Sequence, residues 1–228
     1  MSERKEKKKS LFSNKKTRIR NMLLIILPFV LAIGVFGYFI FSSLKSMVNN
    51  VSGEEASRYS DHIEGKNIYL REGATELQTE LFHQLQDAYN GDNDELTAKL
   101  TAECFIADFY TWTNKNGSYD VGGVYYYANR PNIEQQGRDT FYKYVSYYIN
   151  KYGKENLLEV TSINSVGGKI EEDYLIEELN QRFPHYYFEV TWEYANHPGF
   201  TANEYITKAI VNVIKDDTGR FAIVEVYG

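Results

Sequence analysis

The chain has 228 residues and a formal net charge of −6, from 25 Lys and Arg against 31 Asp and Glu. Apolar residues make up 43%, enough to build a core, which excludes a wholly disordered chain. The single cysteine, Cys104, excludes an intramolecular disulfide, so the fold must be held by packing.

The charge is unevenly distributed. Residues 1–20 carry nine basic side chains against Glu3 and Glu6, a local charge of +7. From residue 46 onward, 15 Lys and Arg face 29 Asp and Glu, a charge of −14. Between them, Met22–Phe41 is uncharged and rich in Leu, Ile, Phe and Val. About 20 residues at about 1.5 Å each span about 30 Å, the thickness of a bilayer's hydrocarbon core. Basic residues resist translocation, so the expected layout has four parts. These are a basic cytoplasmic tail (1–20), one transmembrane helix (21–44), a polar stalk (45–72) and an extracytoplasmic domain (73–228). The rival is a cleaved signal peptide, but its apolar region would be only about 7–15 residues, and no A-x-A site follows Phe41. An exported domain without disulfides fits a bacterium better than a eukaryotic secretory route. The acidic outer part repels phosphate, which argues against nucleic acid there.

Thr75 and Gln78 form a capping-box pair, after which Leu77, Leu81, Leu85 and Ala88 fall on one helical face as far as Asn90-Gly91. A second helix is predicted from Asp92 or Asp94 to about Lys115. It carries two adjacent apolar stripes, Leu96–Leu100–Cys104–Ala107 and Phe105–Phe109–Trp112, which mark it as central. An irregular Tyr-rich segment follows, punctuated by Gly122-Gly123 and Arg130-Pro131. A third helix is predicted over residues 138–152, with Phe141, Val145, Tyr148 and Tyr152 on one face.

Then the period becomes two. Asn156–Val166 reads as a strand ending at Gly167-Gly168. Residues 171–181 fit either state, because Glu171, Glu172 and Asp173 also suit the first turn of a helix. Tyr186, Phe188, Val190, Trp192 and Tyr194 alternate with polar neighbours as a strand, and His197-Pro198-Gly199-Phe200 fits a turn. Strands over Glu204–Lys215 and Phe221–Tyr227 flank the turn Asp216–Gly219. Helices first and then about four antiparallel strands define an α+β domain, with a curved sheet wrapped around a long helix as a cone.

This order resembles the nuclear transport factor 2-like (cystatin-like) cone. The whole layout is similar to the VirB-eight type bitopic scaffold subunit of type IV secretion and conjugation systems. The resemblance implies a membrane-anchored, non-enzymatic scaffold or assembly module. Its partners would be the lipid bilayer, other envelope or secretion-complex proteins and further copies of itself. Asp120-Val121-Gly122-Gly123 and Tyr186–Tyr194 look family-specific, but no functional residue carries over.

Tyrosine is in excess, 20 residues, clustered at Tyr125–Tyr127 and Tyr142–Tyr148. Tyr110, Trp112, Tyr125, Tyr126, Tyr127, Tyr144, Tyr148 and Trp192 are the candidates for a contact surface or an aromatic-lined pocket. An amphipathic core edge accounts for them equally well. If the cone is hollow, a ligand-binding or sensory role is the alternative function. An isomerase-like site would pair a carboxylate of raised pKa, Asp108 or Glu103, with Tyr110 or Tyr144. Both acids fit the polar strip of their helix as well, and no catalytic residue is assigned. His62, His83, His185 and His197 are scattered without a metal-binding spacing, and no cofactor motif is present.

Overall fold

The computed structural model describes residues 59–228, apart from 178, 198 and 199. The basic tail, the apolar run Met22–Phe41 and residues 45–58 of the expected stalk lie outside the described residues. Among the described residues, no helix is long and apolar enough to cross a membrane.

The described chain is α+β, but it begins earlier than residue 73. A hairpin of β1 (Tyr59–Ile63) and β2 (Ile68–Arg71) precedes the helices. Ile63, Ile68 and Leu70 are buried in the core, so residues 59–71 belong to the folded body rather than to a stalk. Strands of five and four residues are too short to leave a readable period.

α1 (Glu76–Tyr89) starts at the expected capping box: Gln78 N–H donates to Thr75 Oγ1, and Thr75 N–H donates to Gln78 Oε1. α2 (Asp94–Phe109) buries 11 of its 16 residues, the signature of a central helix. It stops before Lys115, because Trp112 and Thr113 turn away and donate their N–H groups to the carbonyl of Leu158. Leu96, assigned to an apolar stripe, is exposed.

The single helix expected over 138–152 is two, α3 (Arg130–Asp139) and α4 (Val145–Tyr152), separated at Thr140 (φ −119°, ψ −94°). The break lets Tyr142 turn inward, where its hydroxyl donates to the Phe109 carbonyl at 2.6 Å. α3 escaped the sequence reading because it buries only Ile133 and Gly137, which leaves no apolar stripe.

Four strands follow in the order β3-β4-β5-β6, all antiparallel: β3 (Val160–Ile176), β4 (Gln181–Tyr194), β5 (Lys208–Lys215) and β6 (Phe221–Tyr227). β3 runs straight through Gly167-Gly168. A Cβ on Gly167 would lie 2.0 Å from the Tyr187 carbonyl oxygen, so glycine here permits close strand approach and does not end the strand. Residues 171–176 are strand, and the N–H groups of Leu179 and Asn180 donate to the Ile176 and Glu177 carbonyls as the chain turns into β4. Pro184 sits where the β3–β4 register slips between Ile170 and Tyr174, a position that spares the ladder a missing donor. Phe183, Tyr186, Phe188, Val190 and Trp192 are buried; the three-residue step after Phe183 marks the same irregularity. β5 begins at Lys208, later than expected, because Ala202–Glu204 forms a 3-10 turn. His197 bridges Phe200, while the centre of the turn expected there, residues 198 and 199, lies outside the described residues. α2 packs on all four strands, and α1 packs on α2.

Candidate functional site

At the C-terminal end of α2 the chain buries a polar network. Lys115 has no exposed side-chain surface; its Nζ donates to Asp108 Oδ1 at 2.7 Å and to Asn114 Oδ1 at 2.8 Å. Arg71 donates to Asp120 Oδ1 at 2.6 Å and to Asn114 Oδ1 at 3.2 Å, with its Nε 3.8 Å from Asp108. Asn114 Nδ2 donates to Gln78 Oε1, and Gln78 Nε2 donates to the Ala107 carbonyl. The Gly123 N–H donates to Asp108 Oδ2, and the Asn116 N–H donates to Asp120 Oδ2. The network therefore ties β2, α1, α2 and the loop after α2 into one unit.

Its charges are largely paired with one another. Burial alone would raise the Asp108 pKa, but the adjacent Lys115 and Arg71 cations outweigh it and bring it down to about 2. Burial lowers Lys115 to about 8 against the pull of Asp108. The isomerase-like reading calls for a carboxylate of raised pKa, and the shift at Asp108 runs the other way. Glu103 is buried on another side of α2, accepting from Ser165 Oγ at 2.5 Å and lying 3.7 Å from Lys99. Tyr110 stacks on Trp192 with ring centres 4.4 Å apart, and Tyr144 is exposed at the start of α4. The four candidate groups do not converge.

The segment Asp120–Gly123 acquires a concrete role. Asp120 takes the Arg71 guanidinium, and Gly122 lies so close to α2 that a Cβ would stand 2.2 Å from the Asp108 carbonyl oxygen. Tyr142 Oη accepts from the Gly122 N–H at 3.1 Å, closing the loop from the far side.

Among the described residues Tyr110, Tyr125, Tyr126, Tyr142 and Tyr186 are buried, and most of the other tyrosines are half-buried. Trp112 is fully buried, ringed by Phe141, Tyr142, Tyr148, Phe200 and Tyr205 at centroid distances of 4.8–6.4 Å. Tyr125 and Tyr126 are buried in a 3-10 turn over Val124–Tyr126, Trp192 is buried, and Tyr127 and Tyr148 are half-buried. Of the eight candidates only Tyr144 is exposed; Tyr147 of the same cluster is exposed as well, as are Tyr119 and Tyr227.

Two concavities stand out among the described residues. A cavity of about 320 Å³ lies between the end of α2, α3 and β6, with Tyr110, Tyr127, Phe109, Phe141, Ile133 and Val226 in its wall. An open groove of about 850 Å³ crosses β3, β4 and β5 beside Trp192, edged by Ser162, Asn164, Glu193 and Lys208. Among the described residues no group of three His, Cys, Asp or Glu side chains could hold a metal ion. No protein family, no curated protein and no solved structure matched this chain in comparison.

Proposed function

We propose that this chain is a single-pass membrane protein with a cytoplasmic N-terminus. Its extracytoplasmic α+β domain serves as a scaffold or assembly module, in a bacterial conjugation or secretion complex. The observation that carries this reading is the order of charge along the chain. A tail of +7, an uncharged apolar run of membrane-spanning length and a body of −14 follow one another. Two further observations support it. Helices precede a four-stranded antiparallel meander, the element order of the cone in the scaffold subunits this layout resembles. Lys115, the most deeply buried charge described, is spent on Asp108. A membrane helix confines such a domain to two dimensions and raises its effective concentration for partners, so modest surfaces suffice for assembly.

Protease added outside intact cells is expected to degrade the folded body while sparing the tail. The full chain, solubilised in mild detergent, is expected to co-purify with envelope proteins or as a defined homo-oligomer. A body protected in intact cells and lost only on permeabilisation reverses the orientation. A solitary monomer removes the scaffold role.

The cavity beside α3 favours a second reading, a small-molecule sensor. Its volume of about 320 Å³ and aromatic wall suit a compact apolar ring system. An indole-sized aromatic probe is expected to bind saturably to the full chain in ligand-observed NMR, and Ile133→Trp is expected to abolish that binding by filling the space. Equal responses from both chains rule the reading out.

A further inference from the structure

Residues 46–228 carry a net charge of −14, yet one surface of the folded body has the opposite character. From Thr140 to Lys154 the chain carries Lys143, Lys151 and Lys154 and no carboxylate. Tyr144 and Tyr147 are 55% and 56% exposed on this stretch. Tyr119, 66% exposed, lies alongside, because the Ser118 N–H donates to Ser146 Oγ at 2.8 Å. Lys143 sits over the Tyr144 ring at 5.4 Å, and Lys151 over Tyr147 at 5.7 Å and Tyr152 at 4.7 Å. Lys154 donates to Asn116 Oδ1. Among the described residues none of these lysines has a carboxylate partner within ion-pair distance. Exposed tyrosines are a residue type favoured at protein interfaces, and the lysines beside them offer charge to an acidic partner.

The complementary surface is the end of the β3–β4 hairpin. β5 pairs with β4 only from His185 to Thr191, so residues 171–184 extend past the sheet as a two-stranded ribbon. Such a ribbon is marginal on its own in water. This one exposes Leu175 (40%) and Leu179 (62%) and carries Glu171, Glu172, Asp173 and Glu177, with Arg182, 3.9 Å from Glu172, as its one described cation.

The two surfaces cannot meet within one molecule. α4 precedes β3 in the chain and the ribbon begins at Glu171, so the 11 extended residues 160–170 separate the two by roughly 36 Å. α2 gives an independent ruler. Its first turn meets the ribbon side, where Lys169 N–H donates to Glu95, and its last residue meets Tyr142 beside α4. Those ends are about 24 Å apart.

Resting on the scaffold role proposed above, we infer that the lysine–tyrosine face around α4 docks the β3–β4 ribbon of a second copy of this chain, head to tail. Lysines meet carboxylates, and the rings of Tyr144, Tyr147 and Tyr119 cover Leu175 and Leu179. The contact is heterologous, so its repetition builds a ring or an open row of domains, as a scaffold requires. Edge-to-edge pairing of two β3 strands is the less favourable geometry, because it would place the acidic runs of two copies in one sheet. An anionic lipid surface would satisfy the lysines but leave the ribbon's leucines uncovered.

The test uses the full chain in detergent, with isotope-labelled and unlabelled copies mixed. A carbodiimide, which joins only touching amines and carboxylates, is expected to link Lys143, Lys151 or Lys154 to Glu171, Glu172, Asp173 or Glu177 between labelled and unlabelled chains. Lys143→Glu with Lys151→Glu is expected to weaken this association by about tenfold or more, as is Glu171→Lys with Glu172→Lys. Mixing the two reversed chains is expected to restore it, and all four positions are exposed, so folding is spared. Oligomers that persist unchanged in both reversed chains, or inter-chain links confined to other residues, overturn the inference while leaving a scaffold intact. A lysine reversal that alters only retention on anionic vesicles, without inter-chain links, assigns the face to lipid and equally overturns it. A solitary monomer that recovers no partner defeats both this contact and the scaffold role.

Discussion

Asp108→Ala is expected to destabilise the folded body by about 3–5 kcal/mol, the usual cost of removing one member of a buried ion pair. The substitution strands the Lys115 ammonium, which has no exposed side-chain surface and would retain only Asn114 as a partner. It also frees the Gly123 N–H that Asp108 Oδ2 accepts, so the glycine loop loses its anchor to α2. Chemical denaturation of the full chain in detergent, followed by near-UV circular dichroism, measures the loss. Combining Asp108→Ala with Lys115→Met is expected to cost less than Asp108→Ala alone, because the second change removes the stranded charge. A loss below about 1 kcal/mol for the single variant would mean that water reaches the pair and that the network is peripheral. The same pair sets an acid limit. Burial opposes ionisation of Asp108, yet Lys115 and Arg71 hold its folded pKa at about 2, below the ordinary 3.8. The stabilisation is therefore complete above about pH 4 and disappears as the pH falls toward 2, because the unfolded chain takes up the proton first. In the Asp108→Asn chain this part of the acid dependence is expected to vanish.

Trp112→Ala is expected to cost a further and independent ~3–5 kcal/mol. Trp112 is 1% exposed and meets five rings drawn from different parts of the chain: Phe141, Tyr142, Tyr148, Phe200 and Tyr205. Its removal opens a void that rings held by separate backbones cannot jointly fill. Trp112→Phe is expected to cost far less, because the indole Nε1 has no hydrogen-bond partner to lose. Thermal melts of the two variants distinguish an anchor of the core from a contact residue: an Ala variant as stable as the parent would return Trp112 to the surface.

The elements readable from the sequence are those whose signal is local. The Thr75–Gln78 capping box, the two-sided apolar character of α2 and the alternation of β4 each follow from residues within a few positions of one another. The turn at Asp216–Gly219 likewise closes on itself: Asp216 Oδ1 accepts from the N–H groups of Thr218 and Arg220. Where the sequence misled, a distant partner had taken over. Lys115 looks like the tail of a helix, but Asp108 and the Leu158 carbonyl draw the chain around it. Gly167 looks like the end of β3, but the facing Tyr187 backbone requires glycine there. The tyrosine clusters fit a contact surface and a core edge equally well from the sequence, and Tyr125, Tyr126 and Tyr142 are buried.

By itself, the sequence determined the charge order of the chain, the membrane-length apolar run and the succession of helices and antiparallel strands. Composition and short-range periodicity are properties of neighbouring residues. Only the tertiary structure decided that Arg71, Asp108, Lys115 and Asp120 form one buried network, and that the exposed lysines and the acidic ribbon lie at opposite ends of β3. A charge is neutralised by whatever lies within a few ångströms of it, and that neighbour is fixed by how distant segments cross, which no local pattern encodes.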